Sequence, residues 1–208
     1  MVSRLQTPIT QVEAFILAGG ASSRMGTDKS QLLLEDQTFV ERIADILLTV
    51  TDSIRLVGGR PNSTFASKLA TVTDVYPQWG ALGGLHAALS ACRREWAIVV
   101  ACDLPFVTPE LFRSLASKRG DHDAVVPMQP EGRPQPLAAL YRANPCARWA
   151  TELIQTGKRR PLDLLQSVNT CWVDFAEIAN LDHAERFFVN INTPDDYYGI
   201  IRALNTDR

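Results

Sequence analysis

The chain has 208 residues, of which 46% are hydrophobic and 21% charged, and its formal net charge at pH 7 is -2. This composition predicts one globular domain over residues 1–208 and excludes a general polyanion binder, so no nucleic-acid partner is expected. We recognise no signal peptide, no apolar run of membrane-spanning length and no closely spaced cysteine pair, and therefore expect a cytoplasmic protein without a membrane partner.

Hydrophobic periodicity and turn residues predict alternating short strands and helices. The predicted strands are apolar runs that stop at glycine or aspartate, and the predicted helices repeat aliphatic residues along one face. Thr108-Pro109 and Thr193-Pro194 mark two helix starts. In chain order the predicted elements are strand 14–18, helix 38–50, strands 53–59 and 69–74, helix 80–89, strand 96–103, helix 108–118, strands 123–128, 136–141 and 171–175, and a strand and a helix within 187–204.

This alternation predicts an α/β fold, a three-layer Rossmann-like sandwich with a mostly parallel twisted sheet. In such sheets, ligands bind beyond the carboxyl ends of the strands. Three features follow predicted strands: the loop after Ala18, the carboxylate of Asp103, and the pair Asn190 and Asn192. We therefore expect these features to meet at one edge of the sheet.

The loop after the first strand combines small residues with cations, in the stretch ILAGGASSRMGTDKSQL at residues 16–32. Gly19 and Gly20 would let backbone N–H groups approach a phosphate, and Arg24 and Lys29 would supply positive charge. The spacing matches neither a Walker A loop, where glycine directly precedes the lysine, nor the dinucleotide fingerprint G-x-G-x-x-G. A phosphate-binding loop is the functional interpretation, and a glycine turn with solvated cations is the alternative.

The stretch LAGGASSRMGTDK closely resembles the signature loop LAGGxSxRMGxDK of nucleotidyltransferases, in particular the MobA-type molybdenum cofactor guanylyltransferases. Five later segments resemble further motifs of this family in the same order, over roughly residues 13–202: GALGGL (80–85), VACDLPFV (100–107), GRPQPLAALY (132–141), GKRRPLDLL (157–165) and VNINTPDD (189–196). One short motif would be weak evidence, whereas six in order are specific. The resemblance implies an α/β fold of the nucleotide-diphospho-sugar transferase type.

The resemblance implies an enzyme that transfers GMP from GTP to the phosphate of molybdenum-bound molybdopterin and releases pyrophosphate. Arg24 and Lys29 would neutralise phosphates, and Asp103 would carry Mg²⁺ unless it is only a turn or helix-capping carboxylate. The chain up to about residue 107 would bind the nucleotide, and the rest would bind the acceptor. The implied nucleotide-binding residues are Leu17, Ala18, Gly19, Gly20, Lys29, Asp74, Gly83 and Asp103.

The implied acceptor carries a phosphate, which calls for a basic cleft. The run GKRR (157–160), with Arg133 and Arg142, is the candidate wall, and a solvated charge run at a helix end is the alternative. The implied partners are GTP and molybdenum-molybdopterin, with cofactor-biosynthesis or molybdoenzyme-maturation proteins as a further class. The implied acceptor-binding residues are Gln135, Pro136, Arg159, Arg160, Asn190 and Asn192.

Two positions depart from the family pattern. Val57 stands where the family often has an asparagine near the guanine or ribose, and Ala81 stands where proline is usual. Two alternatives therefore stay open: a cytidylyltransferase or other sugar or cofactor nucleotidyltransferase, and a nucleotide-binding module without catalysis. The LAGG opening and the QPLAALY segment favour guanylyl transfer, and the presence of both Lys29 and Asp103 favours an enzyme.

Overall fold

The structure, a computed structural model, describes residues 8–18, 32–58 and 68–206, with side chains as far as Arg202. Its strands are β1 (Val12–Leu17), β2 (Leu33–Leu34), β3 (Gln37–Thr38), β4 (Ile54–Val57), β5 (Ala70–Val72), β6 (Trp96–Ala101), β7 (Ala124–Pro127), β8 (Ala138–Arg142) and β9 (Thr170–Val173). Strands β2 and β3 form a separate hairpin. The other seven form one sheet in the order β5-β4-β1-β6-β8-β7-β9.

Six strands of this sheet are parallel, and β8 runs antiparallel to its neighbours β6 and β7. The carboxyl ends of the parallel strands and the amino end of β8 consequently share one edge, which we call the carboxyl edge. The helices are α1 (Phe39–Leu48), α2 (Gly80–Ala91), α3 (Pro109–Ser117), α4 (Ala143–Gln155), α5 (Pro161–Ser167), α6 (Phe175–Ile178) and α7 (Pro194–Thr206).

Helices cover both faces of the sheet. The side chains of β1 alternate: Ile16 packs in a core cluster with residues of α1, α3 and α6, while Phe15 packs in a second cluster with residues of α2, α4 and α5. All six β1 residues are buried, as the apolar run at 14–18 predicts for a central strand. The predicted three-layer α/β sandwich with a mostly parallel sheet is confirmed.

The strand predicted within 187–204 is wrong. Its residues follow an irregular path after a 3₁₀ turn at Ala184–Arg186, and α7 then begins at Pro194 as predicted. Phe187 and Ile191 are both fully buried, so the segment carries the apolar residues of a strand while packing as a loop. No element is predicted for residues 143–167, where the structure has α4 and α5.

At the edge opposite the carboxyl edge, a buried carboxylate joins β1, β4 and the end of α2. Glu13 is 3% exposed and accepts hydrogen bonds from Arg55 Nε (2.8 Å), Ser53 Oγ (3.1 Å) and the Arg93 N–H (2.8 Å). Arg55 also donates to the carbonyl of Ala91. Burial acts to raise the pKa of Glu13, but these donors outweigh it and hold the pKa below its usual 4.5. This ion pair fixes the edge of the sheet that faces away from the candidate site.

Candidate functional site

The carboxyl ends of three neighbouring strands, β4, β1 and β6, lie side by side at the carboxyl edge. The N–H of Ala18 donates to the carbonyl of Val57 at 3.0 Å, and the carbonyl of Leu17 accepts from the N–H of Cys102 at 3.0 Å. Asp103 follows Cys102 directly. The structure therefore brings Leu17 and Ala18, predicted to bind nucleotide, beside Asp103, predicted to carry the metal.

Four residues singled out in the glycine loop lie outside the described residues, and their roles stay predictions: Gly19, Gly20, Arg24 and Lys29. Val57, on the neighbouring strand, is described. Its side chain is 2% exposed and belongs to the same core cluster as Phe15 and Leu82. At this position, where the family often has an asparagine, the chain can therefore offer a base only its backbone.

The segment around Asn190 and Asn192 lies directly beside Asp103. The N–H of Ile191 donates to the carbonyl of Asp103 at 3.1 Å, although the two residues are distant in sequence. Asn190 is half-buried and donates from Nδ2 to the Phe188 carbonyl at 3.3 Å, while Asn192 is exposed. The structure therefore brings this segment beside Asp103 as expected, although the segment is a loop and does not follow a strand. The binding roles of Asn190 and Asn192 stay predictions.

The donors at this edge fit a metal that arrives with its substrate. Among the residues that the structure describes, no group of three or more His, Cys, Asp or Glu side chains could enclose a metal ion. Asp103 is half-buried and supplies one carboxylate there. A hard cation such as Mg²⁺ commonly takes one or two protein carboxylates and completes its shell with phosphate oxygens and water. A site in which Asp103 supplies the carboxylate matches that pattern better than a structural metal centre.

The loop between β5 and α2, residues 73–79, carries Asp74, and we call it the Asp74 loop. Asp74 is half-buried and accepts a hydrogen bond from the Tyr76 N–H through Oδ1 at 2.8 Å, which closes a local turn. The Trp79 N–H donates to the Tyr76 carbonyl at 2.9 Å. The Tyr76 ring meets the ring of His86 on α2 edge to face, with centroids 5.0 Å apart. These contacts fix the loop against the first turns of α2.

Gly83 lets α2 approach the Asp74 loop closely. A Cβ atom at this position would lie 2.4 Å from the carbonyl oxygen of Tyr76 and 3.1 Å from Cβ of Trp79. A side chain at position 83 would therefore collide with backbone atoms of the loop. The structure gives Gly83 a packing role, and the nucleotide contact implied for it stays a prediction.

His86 connects α2, α4 and the Asp74 loop. It is 8% exposed, and its Nε2 lies 3.0 Å from Thr151 Oγ1 and 3.3 Å from Ser90 Oγ. Burial lowers the pKa of His86 below its usual 6.5, against the opposing charge of Asp74. Its contacts are those of a buried neutral side chain that joins two helices.

The start of β8 brings the predicted acceptor-binding pair to the carboxyl edge. Gln135 is 7% exposed, and its N–H donates to the carbonyl of Pro127 at 2.9 Å. The carbonyl of Pro136 accepts from the Tyr141 hydroxyl at 2.7 Å, and burial raises the pKa of that hydroxyl. The N–H of Ala101 donates to the carbonyl of the next residue along, Leu137, at 2.9 Å. Gln135 and Pro136 thus lie beside the end of β6, close to Asp103.

The two predicted acceptor-binding arginines follow α4 at the same edge. Nη1 of Arg159 donates to the carbonyl of Gln78 at 3.1 Å, and its guanidinium carbon lies 4.7 Å from the centroid of the Trp79 ring. Arg160 is exposed and directly precedes α5. Arg159 therefore contacts the Asp74 loop, which is predicted to bind the nucleotide. Sequence reasoning missed this contact, for which Trp79 directly before GALGGL was the available signal.

Arg142 does not belong to the basic wall predicted for the acceptor cleft. It ends β8, and because that strand is antiparallel it lies opposite Trp96 at the start of β6. Its guanidinium nitrogens lie 3.5 Å from Glu95 and 3.7 Å from Asp123, and its guanidinium carbon lies 5.3 Å from the Trp96 ring centroid. Arg142 thus stabilises the opposite edge. Arg133, the other expected wall residue, lies in an exposed turn with its side chain 74% accessible.

Two comparisons with known sequences bear on this site. The family model described as "MobA-like NTP transferase domain" matches residues 14–170. A protein of Pelotomaculum thermopropionicum named "Probable molybdenum cofactor guanylyltransferase" is 33% identical over 186 residues, which cover 89% of this chain and 90% of the relative. A protein of the same name from Methanothermobacter thermautotrophicus is 33% identical over 194 residues, covering 87% and 94%.

Solved structures share the fold. Molybdopterin-guanine dinucleotide biosynthesis protein A from Archaeoglobus fulgidus superposes with a TM-score of 0.77 at 26% identity, over 93% of this chain and 99% of that chain. The 2-C-methyl-D-erythritol 4-phosphate cytidylyltransferase of Thermus thermophilus superposes with a TM-score of 0.66 at 15% identity, over 92% and 98%. The second likeness concerns the fold alone. Among the described residues, no helix combines the length and the apolar character that crossing a bilayer requires.

Proposed function

We propose, because this chain belongs to the MobA-like NTP transferase family, that it transfers GMP from GTP to the phosphate of molybdenum-bound molybdopterin. One observation carries the proposal: hydrogen bonds bring Leu17, Asp103 and Ile191, from three distant motifs, to one edge of the sheet. The names of the relatives support guanine as the base and molybdopterin as the acceptor.

The order of strands supports a division of labour along this edge. The first four strands from the outer edge, β5-β4-β1-β6, carry Asp74, Leu17 and Asp103 at their ends. The neighbouring strand β8 begins after Gln135 and Pro136. The part of the chain up to about residue 107 thus binds the nucleotide, the later part binds the acceptor, and Asp103 lies at the border.

The reaction needs no nucleophile from the protein, because the acceptor phosphate is already an anion. Its oxygen attacks the α-phosphorus of GTP, a new P–O bond forms, and the bond to the bridging oxygen of the β-phosphate breaks. The electron pair leaves with pyrophosphate. The protein aligns the two phosphates and offsets their charge. Arg24 and Lys29 provide the positive charge beside the nucleotide, and Asn190 and Asn192 offer hydrogen bonds to the acceptor without adding negative charge.

Mg²⁺ is the divalent metal proposed for this site, with Asp103 as its protein carboxylate. When bound, the ion supplies electrostatic screening of the phosphates. Asp103 holds its position because its backbone carbonyl accepts the hydrogen bond from Ile191. Further acceptor-side partners, such as cofactor-biosynthesis or molybdoenzyme-maturation proteins, and a cytoplasmic location are part of the same proposal.

Binding of GTP, CTP, ATP and UTP in the presence of Mg²⁺, measured by calorimetry, tests the choice of base. Preference for GTP is expected. Preference for CTP would move the function to the cytidylyltransferase alternative. Absence of binding by every nucleotide, both without and with the acceptor present, would refute the transferase, whereas binding only with the acceptor would show that the acceptor binds first.

The role of Asp103 is tested by pyrophosphate release with GTP and molybdenum-molybdopterin as substrates. Asp103→Ala should abolish Mg²⁺-dependent transfer and leave the urea unfolding midpoint unchanged. Asp195→Ala is the matched control, because Asp195 is an exposed carboxylate in the first turn of α7. Turnover of Asp103→Ala at the wild-type rate would remove Asp103 from the metal role.

A further inference from the structure

The cationic run between α4 and α5 does not present its three side chains alike. Lys158 forms an ion pair with Asp163 at 3.6 Å. Arg159 donates to the carbonyl of Gln78 at 3.1 Å and places its guanidinium carbon 4.7 Å from the Trp79 ring centroid. Arg160 is exposed, and the structure records no hydrogen bond from its side chain to another described residue. One of the two arginines is thus already engaged by the Asp74 loop.

The segment that Arg159 contacts also holds Asp74 in place. The Trp79 N–H donates to the Tyr76 carbonyl, and the Tyr76 N–H donates to Oδ1 of Asp74. The Trp79 and Tyr76 rings lie 6.4 Å apart between centroids. These contacts connect Gln78 and Trp79 through Tyr76 to the carboxylate of Asp74. The guanidinium contributes a contact from the second half of the chain to this local network.

We propose that Arg159 is a positioning residue for the nucleotide, and that it acts through the Asp74 loop. This inference rests on the proposed function. It replaces the acceptor role expected for Arg159, whereas Arg160 keeps that role. Arginine suits the position because a planar guanidinium can lie over the Trp79 ring while its N–H groups donate, in the plane of the guanidinium, to the Gln78 carbonyl. Lysine offers a donor and a charge but no planar group.

Five variants, one of them a double variant, test this role in two measurements. The first is amide hydrogen exchange of residues 73–79 in the protein without nucleotide. Arg159→Ala should accelerate exchange at Tyr76 and Trp79, while Arg160→Ala should not. Arg159→Lys should fall between wild type and Arg159→Ala. In a Trp79→Leu background, Arg159→Ala should add little further acceleration, because the ring on which the guanidinium stacks is absent.

The second measurement is the dissociation constant for GTP with Mg²⁺. Loss of a charged hydrogen bond and a cation–π contact predicts a rise of roughly five- to tenfold for Arg159→Ala. Arg160→Ala controls for loss of a cation near an anionic ligand and should change the constant less than about twofold, while raising the KM for molybdenum-molybdopterin. Because Arg159 is exposed, the urea unfolding midpoint of Arg159→Ala should stay close to that of wild type.

The outcomes separate this inference from the proposed function. Unchanged exchange in Arg159→Ala, or a raised acceptor KM with an unchanged GTP dissociation constant, would overturn the positioning role. Faster exchange together with a preference of the wild type for CTP would overturn guanine as the base and leave the positioning role standing, with the dissociation constants then measured for CTP. Faster exchange and weaker GTP binding in Arg159→Ala, with neither change in Arg160→Ala, would support the positioning role and the proposed function together.

Discussion

Replacing Gly83 by alanine should force α2 and the Asp74 loop apart. The added Cβ would meet the Tyr76 carbonyl oxygen at 2.4 Å and Cβ of Trp79 at 3.1 Å. Ordinary contacts of this kind begin near 3.5 Å, so the loop or the helix would have to withdraw by roughly 1 Å. The blocking oxygen belongs to the backbone, so a side-chain rotation cannot relieve the contact.

Gly84 provides the matched control one position later in the same helix. A Cβ there would lie 3.6 and 3.8 Å from the two terminal methyl groups of Leu17, which is ordinary van der Waals contact. Both substitutions gain about 1 kcal/mol from the higher helix propensity of alanine, and that gain cancels when the variants are compared. Overpacking costs about 1–3 kcal/mol, so Gly83→Ala should be less stable than Gly84→Ala by that amount.

Urea unfolding followed by circular dichroism measures this difference, provided that the two variants share the same dependence of stability on urea concentration. Calorimetry should also find weaker GTP binding for Gly83→Ala than for Gly84→Ala, because Asp74 moves with its loop. If the two variants unfold at the same urea concentration, the close approach at Gly83 does not limit the packing of α2, and the reasoning is refuted.

Three further substitutions address the scaffold. Glu13→Gln leaves the partly buried charge of Arg55 without its ion-pair partner and should cost about 3 kcal/mol in urea unfolding. Because the folded pKa of Glu13 lies below 4.5, the contribution of its charge is present above that pH and should fade as acid protonates it. His86 has a lowered folded pKa, so the stability of the wild type should fall as the pH drops below about 6.5, and His86→Gln should remove that part of the pH dependence. Thr38→Ala breaks the capping box in which the Thr38 hydroxyl accepts from the Glu41 N–H at 3.2 Å and should lower the urea midpoint by the equivalent of about 1 kcal/mol.

Each of these three predictions has an outcome that would contradict it. A constant deficit of Glu13→Gln from pH 7 to pH 3 would show that the charge of Glu13 is not what stabilises the edge. Parallel stability curves for wild type and His86→Gln between pH 7 and pH 5 would exclude His86 as the source of the pH dependence. An unchanged midpoint for Thr38→Ala would mean that the cap of α1 is dispensable.

The central part of the sheet could be predicted because its strands carry their burial in the sequence. β6 is a continuous apolar run, β1 is apolar from Ala14 onward, and each strand is buried over its whole length. The direction of β8 could not be predicted in the same way. Four of its five residues are buried, and an apolar run of that kind fits a sheet equally well in either direction. The misplacement of Arg142 follows from that one undetermined property.

Helix α4 has a helical stripe whose signal is weak. Its buried residues, Ala143, Cys146, Ala150 and Ile154, keep the helical spacing, but three of the four are small. For residues 187–192 the prediction fails in the opposite way, because it assigns a strand where the structure has a loop. Phe187 and Ile191 are fully buried, yet the Ile191 N–H pairs with the Asp103 carbonyl outside any strand. Burial in both places depends on neighbours that are distant in sequence.

The location of the candidate site followed from strand ends, whereas its connections did not. The rule that ligands bind at the carboxyl ends of strands accounts for Asp103 after β6. The asparagine segment lies at the same edge, although the strand predicted before it is absent. The contact between Arg159 and Trp79 joins two loops whose residues are exposed or half-buried, and neither loop has a periodic hydrophobic pattern. Only the packing of α2 against α4 brings those loops together.

The reversed strand β8 also decides which end of a helix meets the substrate edge. Helix α4 starts where the Ala143 N–H meets the Glu95 carbonyl, at the far edge, and therefore ends at the carboxyl edge with its partly negative terminus there. Gly157, at a φ of +83°, and Lys158 close that end through N–H groups that donate to the carbonyls of Ile154 and Leu153. A helix dipole in this direction repels anions, and the cationic side chains that follow it compensate. The basic run thus suits this helix end as well as any phosphate, so replacing all three of its cations together should slightly weaken the end of α4 even when no ligand is bound.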